Sequence, residues 1–210
     1  MIFKQEGKFV GVEADLAQRL AMQLGKSVQF VEVKWVDQID ALMSGRTDII
    51  MSSVSVTPAR ATRIDFTKPY MRSGQMAVCR RPEAAGMQIG MFAKDVRVGV
   101  VKATTGDYFV QQEMYLAKRV TYSSAESGAK AVIRKRIDVF ICDAPVAWWL
   151  ASEREEDLAV VPALLTEEYL AWGVRKGESA LLETANQFIE KSRENGELRK
   201  IVRTWIPNWN

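Results

Sequence analysis

Histidine is absent from this 210-residue chain. That removes the usual proton shuttle near neutral pH, the commonest metal ligand and every His-based catalytic triad. Cysteine is scarce: Cys79 and Cys142 are the only two, which make neither a disulfide framework nor a metal-binding spacing. Each lies in an apolar, strand-like run, so buried thiols are expected rather than a disulfide. An excess of one charge is also lacking. Lys and Arg number 29 against 26 Asp and Glu, a net +3 with the signs interspersed. There is no basic stripe, and nucleic-acid binding has no support. No run approaches the roughly 18 apolar residues of a membrane span. The opening Met1-Ile2-Phe3-Lys4 lacks the apolar region of a signal peptide, so an exported protein would have lost its targeting segment by processing, by truncation or through a misplaced start. No cofactor is expected.

The stretch from Asp48 to Tyr70 organises the rest. Ile49, Ile50 and Met51 follow the turn signal Ser44-Gly45-Arg46 and read as a short buried strand. Small hydroxyl residues come next: Ser52, Ser53 and Ser55. Thr57 then fits a helix N-cap and Pro58 the first helical position, which aims free N–H groups back toward the serines. Arg60, one turn in, adds a guanidinium. Hydroxyls, helix-end amides and an arginine at a strand's carboxyl end suit a small anion, most naturally a carboxylate. An ordinary strand–helix turn with a surface arginine would carry the same residues.

Residues 8–12 read as a strand or hairpin arm, 15–24 as an amphipathic helix stopped by Gly25, 28–33 as a strand and 36–44 as a second helix. Trp35 stands at the junction between those last two, where packing is the ordinary role. Residues 74–81 are strand-like, and a loop with Gly86 and Gly90 is the expected break. A second alternation follows, with strands at 96–101, 119–122, 138–142 and 158–161 and helices between them. Residues 168–175 form the last strand, before helices 180–194 and 197–205 separated by Asn195-Gly196. Such alternation argues an α/β fold with parallel sheets. The units Gly45-Arg46-Thr47-Asp48-Ile49-Ile50 and Lys135-Arg136-Ile137-Asp138-Val139-Phe140 echo one another, as two similar lobes would.

Ser53-Val54-Ser55-Val56-Thr57-Pro58-Ala59-Arg60, with Ile64-Asp65-Phe66-Thr67-Lys68-Pro69-Tyr70, resembles the signature of the bacterial extracellular solute-binding proteins of family 3, which serve polar amino-acid ABC transporters. Residues 7–17 also resemble that family's first helix entry. The resemblance implies the two-lobed periplasmic-binding-protein-like II fold, each lobe a mostly parallel sheet flanked by helices. It divides the chain into lobe 1, residues 1–77 and 172–210, and lobe 2, residues 78–171, with a hinge near Ala77 and Trp172. Ser53, Ser55, Thr57 and Arg60 would take a ligand's carboxylate, and Asp143 its ammonium. Thr105 would add a donor and Trp35 an apolar wall, with Cys142 and Tyr108 as further pocket candidates. Asp143 and Thr105 equally suit N-caps of the helices that follow them.

The implied function is capture of a small amino acid between the lobes and delivery to a membrane permease, in the periplasm or outside the cell, with no catalysis. A receptor's sensory domain and a cyclohexadienyl-dehydratase-like enzyme share the scaffold. The enzyme would need an acid over its substrate, and Glu113 and Glu126 lie on helix faces that read as solvated. In the resembling family a lobe 1 strand precedes the position of Ile2-Phe3. Without it, the strands at 28–33 and 48–51 would face each other across a gap. A second chain, the chain's own N-terminal residues or direct pairing of the two flanking strands could close that gap, and of these a homodimer with exchanged lobe 1 strands is expected.

Overall fold

The computed structural model describes residues 1–86 and 95–206. The chain divides into two compact units: Met1–Arg72 with Tyr169–Asn210, and Ser73–Glu168. In chain order the elements begin with β1 (Phe3–Gln5), β2 (Lys8–Val10), α1 (Val12–Gln23), α2 (Gln38–Met43) and β3 (Ile49–Ser55). Then come α3 (Pro58–Ala61), β4 (Ile64–Phe66), β5 (Met71–Ser73), β6 (Gln75–Arg80), β7 (Arg97–Val101) and α4 (Thr105–Glu113). The second half runs through β8 (Lys118–Tyr122), α5 (Ala125–Ile133), β9 (Val139–Asp143), α6 (Ala144–Ser152) and β10 (Leu158–Val160). It closes with β11 (Glu168–Arg175), α7 (Ser179–Glu194) and α8 (Glu197–Trp205). Of the expected loop break, Gly86 ends a 3-10 segment, while Gly90 lies outside the described residues.

In the first unit, β1 and β2 pair as a hairpin turned by Glu6 and Gly7, both at positive φ, as a tight hairpin turn requires. Helix α1 starts earlier than its sequence suggests and buries Val12, Ala14, Leu16, Ala17 and Leu20, the i, i+4 stripe of an amphipathic helix. Residues 28–33 are not a strand. A strand exists as a ladder, and this run has none; Phe30 instead tilts onto Phe9 of β2 with ring centroids 4.9 Å apart. The described ladders of this sheet are antiparallel, in the order β3-β11-β4. The parallel alternation expected of the first lobe is therefore not among them. Between Ala171 and Gly173 the register of β11 shifts. Trp172, at that irregularity, is fully buried, with ring centroids 5.8 Å from Tyr70 and 6.0 Å from Phe188.

The second unit meets the parallel expectation more closely. Its strand order is β10-β6-β9-β7-β8, with β7 parallel to both β8 and β9 and with β6 and β10 added antiparallel. One face carries Met76, Val78, Phe140 and Cys142 against α5 and α6, the other Ala77, Cys79, Val98 and Ile141 against α4. Both cysteines are buried thiols. Met76 stands opposite Cys142, so Cys79 is an odd number of residues along from Cys142's partner and points to the opposite face. That geometry prevents a bond between them.

Candidate functional site

Each unit carries its own group of candidate residues. In the first, the strand β3 has Ser53 at φ +56, a left-handed conformation uncommon for a residue with a side chain. Glu13, completely buried, anchors it: the Ser53 N–H donates to Glu13 Oε1 at 2.8 Å and the Ser53 hydroxyl to Oε2 at 3.0 Å. Tyr70 donates to the same carboxylate at 2.9 Å, and the amine of Met1 also reaches Glu13 and Ser53. Ser53 is thus committed to shaping the end of the strand. Glu13 went unrecognised in the sequence because it fell between the expected strand at 8–12 and the expected helix from 15, where an acid reads as solvated.

Ser55 is buried, and its carbonyl accepts from Arg60 Nη1 at 2.9 Å. Thr57 caps the following helix, its Oγ1 accepting from the Arg60 N–H at 3.2 Å, with Pro58 at the first position. Sequence and structure agree on that turn. The helix itself is only four residues long, so its end contributes the partial charge of a single turn and the guanidinium of Arg60 is the larger local charge. Arg60 lies over the ring of Trp35, 5.3 Å from its centroid. Trp35 also packs against the core made by Leu42, Ile50, Val54 and Ile64. Packing and wall are compatible roles.

In the second unit, the ambiguities at Thr105 and Asp143 separate. Thr104, not Thr105, caps α4, its Oγ1 accepting from the Asp107 N–H at 3.2 Å. Thr105 is left to donate its hydroxyl to Glu168 Oε2 at 2.9 Å. Asp143 occupies the N-cap position of α6 but its side chain makes no capping bond. Its Oδ1 accepts instead from Gln75 Nε2 at 2.7 Å. The same nitrogen reaches Glu168 Oε1 at 3.0 Å and Thr105 Oγ1 at 3.1 Å, and Thr166 donates to Glu168 Oε1 at 2.9 Å.

Gln75, Thr166 and Glu168 were not singled out in the sequence. The available signal was Gln75, a polar residue heading an otherwise apolar strand. Of the pocket candidates, Tyr108 is exposed and Cys142 faces the core, where burial, with Asp143 beside it, pushes its thiol pKa well up. Glu126 is held by Arg154 and Lys130. Among the described residues no group of three or more His, Cys, Asp or Glu could hold a metal ion. No described helix is long and apolar enough to cross a membrane.

The profile of the bacterial extracellular solute-binding proteins, family 3, matches residues 1–208. The L-cystine-binding protein TcyJ of Escherichia coli K12 is 26% identical over 201 residues, covering 96% of this chain and 76% of its own. Among solved structures, an ancestral amino acid-binding protein described as a precursor of cyclohexadienyl dehydratase superposes with a TM-score of 0.90 at 31% identity, over 97% of this chain and 89% of its own. An ancestral arginine-binding protein bound to arginine gives a TM-score of 0.86 at 28% identity, over 97% and 92% of the two chains. The chain belongs to the bacterial extracellular solute-binding proteins of family 3.

Proposed function

We propose that this chain captures a small amino acid, or a related amino-carboxylate, and delivers it to the membrane permease of an ABC transporter. The observation that carries this reading is the complementarity of the two candidate groups. An α-amino acid needs a cationic, donor-rich corner for its carboxylate and an anionic corner for its ammonium. Arg60, with Ser55 and Thr57 around it, offers the first. Asp143, held by Gln75, offers the second, with Thr105 as an extra donor beside it. Neither unit alone answers both ends of the ligand. Binding to both favours a closed state about a hinge near Ala77 and Trp172, with residues 1–77 and 172–210 as one lobe and 78–171 as the other. Capture by closure needs no bond to be made or broken, and we read the protein as a binder rather than an enzyme.

The relatives named above bind cystine or arginine, which makes these the first ligands to try. A thermal-shift screen of the twenty amino acids tests the reading directly. A ligand at 100-fold its Kd should add roughly 2.7 kcal/mol to stability. No shift with any amino acid, together with turnover of prephenate or arogenate, would favour the dehydratase reading instead. Periplasmic or extracellular placement follows from the proposed role. A homodimer through strand exchange in the first lobe is supported by one feature: among the described residues β3 ladders only with β11, and residues 28–33 ladder with nothing. Sedimentation showing a monomer at all concentrations would remove it.

A further inference from the structure

A regular strand is extended along its whole length, and β3 is not. Ser53 stands in its interior at φ +56. The ladder slips there: Val54 pairs with Ala171 and Ile50 with Gly173, so Met51, Ser52 and Ser53 together stand against Trp172 alone. Such a bulge re-aims the chain beyond it. The left-handed region disfavours any residue with a Cβ, and glycine is the residue that enters it freely. Serine is held in it from outside the sheet. Glu13, on α1 and 0% exposed, directs both carboxylate oxygens at this one residue. Oε1 accepts from the Ser53 N–H at 2.8 Å and Oε2 from its hydroxyl at 3.0 Å. Tyr70 steadies the same carboxylate at 2.9 Å, and the amine of Met1 reaches both Glu13 and Ser53.

We infer that Glu13 is a positioning residue for the carboxylate corner: by fixing Ser53 in the left-handed region it sets the course of residues 54–60, and with it the place of Ser55 and Arg60. The inference rests on the amino-acid reading and deepens it, because it says how one corner of that site is built. Only Val54 separates Ser53 from Ser55, whose carbonyl accepts from Arg60 Nη1 at 2.9 Å. Thr57 then accepts from the Arg60 N–H at 3.2 Å. A turn of the chain at Ser53 therefore carries through to the guanidinium. Backbone strain persists only where its surroundings over-determine it, and it gathers at ligand sites. In Glu13→Gln one of the two oxygens becomes a donor and the charge is lost, so the N–H and the hydroxyl of Ser53 are no longer both answered as they are by the carboxylate. The part played by Ser53 is that of its backbone, with the hydroxyl serving Glu13 rather than the ligand.

Calorimetric titration of the twenty amino acids against the parent, Glu13→Gln, Ser53→Ala, Ser53→Gly and the double variant Glu13→Gln/Ser53→Gly tests this, with urea unfolding of each. Glu13→Gln should weaken the bound amino acid tenfold or more. Adding Ser53→Gly should recover most of that loss, since glycine takes the left-handed conformation without help. Ser53→Ala should bind at least tenfold more weakly than Ser53→Gly. A merely structural Glu13 would lower the urea midpoint and leave the Kd within threefold of the parent, which overturns the inference. Equal losses in Ser53→Ala and Ser53→Gly would mark the hydroxyl as a ligand contact and overturn it as well, while the amino-acid reading stands. If Glu13→Gln fails to fold, the alanine–glycine comparison at position 53 decides unaided. No binding of any amino acid by the parent would remove both the reading and the inference.

Discussion

The guanidinium of Arg60 is held on two sides, by the ring of Trp35 at 5.3 Å and by the carbonyl of Ser55 at 2.9 Å. Those contacts orient the guanidinium, so a carboxylate bound there, as proposed, would meet a charge that needs little reordering. Stacking and a planar fork of donors are properties lysine lacks.

Arg60→Ala is therefore expected to weaken amino-acid binding by about 3–4 kcal/mol, two to three decades in Kd. Arg60→Lys should recover only a minor part. Titration calorimetry within threefold of the parent for the alanine variant would remove Arg60 from the carboxylate site.

Asp143→Asn separates the two roles weighed for this residue. Its side chain makes no capping bond, and an amide oxygen can still accept from Gln75. The loss of stability should stay below about 1 kcal/mol. Binding should fall far more for ligands with an ammonium than for their deaminated analogues. Equal losses would leave Asp143 a structural role only.

Gly128 in α5 abuts the ring of Phe140, and a Cβ there would lie 2.1 Å from a ring carbon. Alanine usually favours a helix over glycine by up to about 1 kcal/mol. Here the clash outweighs that gain, and Gly128→Ala should destabilise by about 1–3 kcal/mol. The urea midpoint should fall, and adding Phe140→Leu should restore part of it. A raised midpoint for the single variant would contradict the packing.

Burial, reinforced by Glu83, pushes the Cys79 thiol from 9.0 up to about 11. Between those values the unfolded chain loses this proton while the folded one keeps it. The folded state therefore binds more protons, and stability declines as pH rises through that window. Cys79→Ala should flatten the decline between pH 9 and 11, as read from urea unfolding at fixed pH steps. An unchanged slope would mean the thiol is more hydrated than its place in the sheet indicates.

The second unit was the more legible in the sequence. Its strands and helices fall close to where periodicity and capping placed them, and Ser124 caps α5 in a reciprocal box with Ser127. There β7 pairs with β8, the strand that follows it, so local pattern and tertiary demand agree over that stretch, although β6 reaches β9 and β10 much further along. In the first unit, β3 finds its described partner in β11, far along the chain. The run at 28–33 has strand composition and forms no ladder, because pairing decides a strand and composition only permits it. At the site, Thr57 was legible because capping is local. Gln75 and Glu168 meet only through folding, and no spacing in the sequence announces that.

The second unit is one continuous stretch, whereas the first is assembled from both ends of the chain. During synthesis, residues 73–168 can complete their sheet while β3 still lacks β11. Pairings so distant in sequence are slow to close and leave an edge exposed meanwhile. The order of maturation should therefore run against the order of translation, with the inserted unit protecting its amides first. Ribosome-bound chains halted once residue 168 has emerged should show hydrogen-exchange protection in β7 and β9 and none in β3. A chaperone that shields the waiting strand would act on the first-made part of the protein and be released by the last.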